Sequence, residues 1–185
     1  MRTDAELVNA VLSGEKDLFA VLVKRYERPV RAVALDVLGD YHSATDVSQD
    51  AFVRAYERLA GLRKPEAFGP WLMKITRRCA LDSARRLVSA KRFAEAGRPK
   101  ETRLETKIAA ATENPDGRLD EAKQRLLAAV VKLPGAEKQV VMLRYFGDNS
   151  VNDVANLLGR STGTVTKQLS RAHRRLRKIL ERSEK

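Results

Sequence analysis

An all-α fold of two small helical domains, joined by a flexible linker and with a helix-turn-helix in the C-terminal one, is what the sequence predicts. Three observations carry the prediction. Apolar residues recur at helical spacing through most of the chain, and nowhere do they alternate as a half-buried strand requires. Aromatic residues make up only 5%, which favours Leu, Val and Ala packed on helices over a β-sandwich. Between about Ser89 and Pro115 the periodicity fades, and SAKRFAEAGRPKETRLETKIAAATENP is polar, charged and broken by Gly and Pro, the composition of a linker. The expected units are residues 1–92, a linker over 93–117, and residues 118–185.

Residues 4–38 read as two helices. Leu7, Val8, Val11 and Leu12 precede Gly14, Phe19, Leu22, Val23 and Tyr26 share a face after it, and Pro29 is a candidate kink in the second helix. Ser43 and Asp46 have the S-x-x-D spacing of a capping box, so a helix is expected to open there and run to about Leu59 with Val47, Ala51 and Ala55 on one stripe. A breaker-rich turn follows from Gly61 to Pro65. Pro65 suits the first turn of a helix whose inner face is Phe68, Leu72, Ile75 and Cys79, with most of Trp71 also inside. A transient helix is expected around Leu104 to Ala111, within the linker.

Leu119, Ala122, Leu126, Val130 and Leu133 then form a stripe halted at Pro134 and Gly135, and a further helix is expected from Ala136 to Phe146, stopped by Gly147. Ser150 and Asp153 repeat the capping-box spacing. Ala155, Gly159 and Val165 follow as a small residue at a close crossing, a turn glycine and a core anchor, with Ser161 or Thr162 capping the second helix. Val165, Leu169, Ala172, Leu176 and Ile179 bury one stripe of that helix. Thr164, Lys167, Gln168, Arg171, Arg174 and Arg175 lie away from it and are placed to face a DNA groove.

The net charge of +12 falls mainly in two segments: residues 72–92 carry seven Lys or Arg against one acid, and residues 162–185 carry eight against two. Polyanion binding through counterion release is the natural use of such patches. Membrane is the weaker alternative, because the apolar stripes are needed for packing and no aromatic-rich interfacial helix stands out. No stretch approaches the ~18 apolar residues of a membrane span, and MRTDAELVNA lacks a signal peptide's apolar core. With Cys79 alone there is no intramolecular disulfide, and a cytoplasmic protein is expected.

In this order the segments resemble the extracytoplasmic-function sigma factors of bacterial RNA polymerase, over nearly the whole chain apart from the linker. ELVNAVLSGEKDLFAVLVKRYERPV is similar to that family's opening helices, ATDVSQDAFVRAYERL to its polymerase-binding helix, and FGPWLMKITRRCALDSARR to its promoter-melting helix. LPGAEKQVVMLRYFGDNSVNDVANLLGRSTGTVTKQLSRAHRRLRKIL resembles the domain that reads the upstream promoter element. Four blocks in the family's order are far more specific than a helix-turn-helix alone.

The resemblance implies a transcription initiation factor that binds core RNA polymerase and directs it to promoter DNA, as a monomer, without cofactor or catalysis. Asp46, Gln49 and Asp50 stand at i, i+3 and i+4 and share one helix face; the resemblance makes that face the dock on the clamp helices of the polymerase's largest subunit. It assigns minus-ten recognition and melting to the loop residues Leu62, Arg63 and Lys64 and to Lys74, Arg77, Arg78, Arg85 and Arg86. Minus-thirty-five reading falls to Thr162, Thr164, Lys167, Gln168, Arg171, Arg174 and Arg175. It also implies an anti-sigma protein as a partner.

Three departures stand out. Thr45, with Ser48 nearby, replaces the second acid usual before the docking aspartate; phosphorylation of either by a Ser/Thr kinase would restore about −1.5 to −2 of charge per site. Arg78 stands where the family often has asparagine. Thr166, Lys167 and Gln168 replace a more typical Lys-Ser-Arg, and since glutamine can pair bidentately with adenine where arginine prefers guanine, an unusual upstream element is expected. The competing reading is a stand-alone helix-turn-helix regulator that binds duplex DNA without polymerase, and it leaves the first 90 or so residues without a role. An enzyme is disfavoured, because His42, His173 and Cys79 form no ligand cluster and there is no Gly-rich phosphate loop.

Overall fold

The computed structural model describes residues 2–94 and 128–183 together with residue 126; among them there are helices and turns but no strand. The expected linker over 93–117, the Leu104–Ala111 helix and the start of the Leu119 stripe lie outside the described residues, apart from residues 93 and 94.

α1 (Asp4–Leu12) begins at a capping box in which the Thr3 hydroxyl accepts from the Glu6 N–H and the Glu6 carboxylate accepts from the Thr3 N–H. A 3₁₀ turn at Lys16–Leu18 leads into α2 (Phe19–Leu38), which runs unbroken through Pro29 and ends where Gly39 takes φ +69° and donates to the Leu35 carbonyl. α3 (Tyr41–Glu57) starts two residues before the expected capping box. The carboxylate that caps it is Asp40, accepting from the Ser43 N–H at 2.7 Å, so Ser43 sits inside the helix as a donor. Pro65 falls in a separate 3₁₀ turn (Pro65–Ala67), and α4 (Phe68–Ala94) begins only at Phe68.

These helices enclose Phe68, which is fully buried and meets Phe19, Tyr26 and Trp71 with ring centroids 6.4, 5.5 and 5.9 Å away. Ala44, Ala51 and Ala55 are also fully buried and let α3 approach closely. Phe68→Ala would empty the centre of this cluster and is expected to lower stability by about 3–5 kcal/mol in urea denaturation.

In the second half, α5 (Gly135–Val141) widens into a π turn at Met142–Phe146 and stops at the buried Gly147. Asn149 closes this end, its side-chain amide donating to the carbonyls of Leu143 (2.8 Å) and Gly147 (2.9 Å). α6 (Val151–Leu158) opens at the Ser150–Asp153 capping box and ends at Gly159, whose φ of +61° few other residues tolerate. α7 (Thr162–Ser183) is capped by Ser161, whose hydroxyl accepts from the Thr164 N–H. Val140, Leu143, Val154, Val165 and Ala172 form the core between α5, α6 and α7.

The sequence reading did not anticipate that the two halves pack on each other. α2 lies along the π turn, and α4 along α6. Gly69 permits the second contact, since a Cβ there would come within 2.8 Å of the Tyr26 hydroxyl and 3.2 Å of Leu157 Cδ2. Lys138 on α5 reaches the far end of α2, donating to the Asp36 carbonyl (2.6 Å) and standing 3.3 Å from its carboxylate; Arg28 and Asp148 add an exposed pair at 2.6 Å.

Burial pushes the Asp36 carboxyl above its ordinary range, against the pull of Lys138 and Arg77. An acid raised by folding contributes stability that is complete below its unfolded value and declines as pH rises through its folded one. The ionised pair is thus a net cost relative to the neutral acid. Asp36→Asn, which keeps the shape without the charge, is expected to leave urea stability at neutral pH within about 1 kcal/mol of the parent or raise it.

Candidate nucleic-acid interface

Two basic faces and one acidic face are built on separate helices. On α7 the stripe Val165, Leu169, Ala172 and Leu176 is buried, which turns Thr162, Thr164, Lys167, Arg171 and Arg174 out to solvent. Thr164 is tied to its own helix start, its hydroxyl 2.9 Å from that of Ser161. Arg175 is exposed but committed: its Nε lies 3.0 Å from the carboxylate of Glu137, a buried acid on α5. Gln168 is half-buried, and Arg160, in the turn after Gly159, donates to its Oε1 at 3.0 Å and to that of Gln139 at 3.1 Å.

On α4, burial of Leu72, Thr76, Cys79 and Ala80 puts Lys74, Arg77, Arg78, Arg85 and Arg86 on the outward side. Arg85 pairs with Asp82 one turn away, and Arg77 stands 3.7 Å from Asp36. The loop ahead of α4 shows Arg63 and Lys64 to solvent and holds Leu62 half-buried. Trp71, beside the buried Phe68, is half-buried.

Opposite the Val47 stripe of α3, Asp46, Gln49 and Asp50 are all exposed on one face. The neighbouring hydroxyls differ. Thr45 is half-exposed and donates to the Tyr41 carbonyl (3.0 Å), whereas Ser48 is only 8% exposed and donates to the Ala44 carbonyl (2.6 Å). Ser48 is therefore corrected as a modification site: it faces the helix core, where Ala44 and Ala51 pack, and a kinase cannot reach it in the folded chain.

Among the described residues there is no cluster of three His, Cys, Asp or Glu able to hold a metal, and no helix long and apolar enough to cross a membrane. His173 is bound to the Tyr145 hydroxyl at 2.8 Å, and Cys79 is buried, its thiol pushed up by burial. What these surfaces offer is charge in fixed positions: two cationic faces matched to phosphate and an anionic one matched to a basic protein surface. Sequence reasoning missed Arg160, Glu137, Lys138 and Asp36, all of which fix neighbours of the basic faces. A polar residue directly after the turn glycine was the one available hint for Arg160.

Residues 22–89 match the family model for sigma-70 region 2, and residues 123–176 that for sigma-70 region 4. The chain is 30% identical over 179 residues to the ECF RNA polymerase sigma factor SigM of Mycobacterium tuberculosis, covering 97% of this chain and 85% of that one. It is 31% identical over 173 residues to the probable RNA polymerase sigma factor RfaY of Xanthomonas campestris, with 91% of this chain but only 42% of that longer protein spanned. Its fold is similar to that of CnrH, solved in complex with the cytosolic domain of CnrY, with a TM-score of 0.63, 22% identity, and 96% and 97% of the two chains covered.

Proposed function

The chain belongs to the extracytoplasmic-function sigma factors of RNA polymerase, and from that premise we infer how its three faces divide the work of transcription initiation. It is an initiation factor that directs core polymerase to promoters. The exposed Asp46, Gln49 and Asp50 face docks on a basic surface of core. The α4 face, Lys74, Arg77, Arg78, Arg85 and Arg86, with Leu62, Arg63 and Lys64 ahead of it, takes the minus-ten strands and holds them apart. The α7 face, with Thr162, Thr164, Lys167, Gln168, Arg171, Arg174 and Arg175, grips the minus-thirty-five duplex. No covalent bond is made or broken by the chain. It works in the cytoplasm, where polymerase is, as a monomer divided into residues 1–92, 93–117 and 118–185.

The observation that carries this reading is the free acidic face of α3 on the same half as the basic face of α4. A regulator acting on duplex DNA alone has no use for an outward acidic face beside its DNA surface, whereas a factor that bridges enzyme and DNA needs both signs. Mobility shifts on promoter duplex separate the two accounts. Tight, specific binding is expected only when core enzyme is added; equal binding without core would favour the stand-alone regulator. Within the complex, Lys167→Ala, Arg171→Ala and Arg174→Ala should each weaken binding on all sequences and reduce the salt slope by about 1.

Elements at minus ten and minus thirty-five lie about 25 base pairs apart, roughly 85 Å at 3.4 Å per pair. Halves that touch through Lys138–Asp36 and Gly69–Leu157 do not serve both at once. The arrangement seen is a closed form, and initiation requires it to open. A protein partner of the kind CnrY provides for CnrH would act on this equilibrium. Thr45 is the residue where a Ser/Thr kinase would sharpen the acidic face. Thr45→Glu is expected to raise polymerase affinity several-fold over Thr45→Ala in a direct binding titration.

A further inference from the structure

We propose that Arg160 makes Gln168 a donor-only reader of guanine in the upstream element, a specificity that rests on the α7 face entering the major groove as inferred above. Gln168 is the seventh residue of α7, about 9 Å from its start at 1.5 Å per residue, within the part of a recognition helix that reaches base edges. It shares a face with Thr164 and with Arg171, at i−4 and i+3, so it lies between residues that are outward.

The direction of the amide is fixed by chemistry. A guanidinium carries only donors, so the oxygen of Gln168, and not its nitrogen, must face Arg160. A second donor from Arg160 to Gln139 anchors the guanidinium to α5, so it does not swing freely with the reading helix. The pair is part-buried, which strengthens a charge-assisted bond.

Bidentate recognition of adenine needs both halves of the amide, oxygen accepting from N6–H and nitrogen donating to N7. Here one lone pair of the oxygen is taken, and the other stands beside a cation that repels the hydrogens of an amino group. The NH₂ remains. Two donors match two adjacent acceptors, and among base edges in the major groove guanine, with O6 and N7, offers that pair. The glutamine thereby reads what an arginine would, at a position where glutamine alone suggests adenine.

The test is transcription by holoenzyme, assembled from purified core and the full chain, on a promoter library randomised in the upstream element. Gln168→Ala identifies the base position by erasing its preference. There the parent chain should favour guanine over adenine by on the order of ten-fold or more. Arg160→Ala, and Arg160→Met, which keeps length without donors, should shift that ratio towards adenine by a similar factor.

A parent chain that prefers adenine at that position overturns the proposal, as does a guanine preference unchanged in both Arg160 variants. Should either variant lose its fold, the parent against Gln168→Ala still decides. A library that yields transcripts with the wrong base sinks this proposal alone; one that yields no transcript at all removes the initiation reading and the proposal with it.

Discussion

Reversing both carboxylates of α3, as Asp46→Lys with Asp50→Lys, is expected to weaken binding to core polymerase by about 100-fold or more while leaving the fold intact. Both side chains are exposed, and among the described residues neither enters a hydrogen bond or ion pair. Surface changes of that kind move stability by only about 0.5 kcal/mol. At an interface the arithmetic differs. Removing one partner of a close interfacial charge pair costs about 2–5 kcal/mol, and reversal adds repulsion to the loss. Titration of labelled core reads the affinity, and thermal unfolding of the free variant checks the fold. A variant that melts early would place these acids in the structure of α3 instead; one that is stable and binds core normally would move the dock elsewhere. Gln49→Ala, on the same exposed face, should by contrast matter little, since no charge is lost.

A second large effect is expected from Lys138→Glu, and its sign is opposite. The parent lysine reaches the buried Asp36 across the two halves. In the variant a carboxylate would stand where an ammonium stood, beside an acid only 7% exposed and with Arg77 at 3.7 Å as its remaining cation. Breaking a buried pair by removing one partner costs about 3–5 kcal/mol, enough to reduce the closed population by on the order of 100-fold or more. Small-angle scattering should then report a larger radius of gyration for the free protein. Initiation at limiting factor concentration should rise, because opening no longer competes with promoter engagement. A larger radius with unchanged or lower initiation would mean that closure does not restrain the protein.

The helices were legible in the sequence wherever a local device specifies them. Ser150 with Asp153, Gly159 and the stripe from Val165 to Leu176 define the helix-turn-helix because a cap, a left-handed turn residue and a periodic apolar face act within one or two turns. The same logic misplaced the start of α3. Ser43 and Asp46 have capping-box spacing, but Asp40 lies just after the left-handed Gly39 and is the first side chain able to accept from a free N–H. Pro65 likewise begins a short 3₁₀ turn and not α4 itself, since a proline-led first turn suits either.

Contacts between distant residues were not legible. Periodicity shows that Asp36 and Lys138 lie on helices and not that they meet across 102 positions. Gln168 was legible as lying off the apolar stripe, yet not as the acceptor of a bond from Arg160, eight residues earlier and across a turn. Ser48 shows the converse. A hydroxyl one position from the Val47 stripe faces inward because a helical apolar face is wider than one row of residues.

Run-off transcription on fragments carrying candidate promoters, with purified core polymerase and this chain, tests the central claim most directly. Discrete transcripts that start at fixed positions, require both proteins, and disappear with Asp46→Lys and Asp50→Lys are the predicted result. Core that gains no promoter-specific transcript from the chain, while the chain alone occupies the same duplexes tightly, would contradict it.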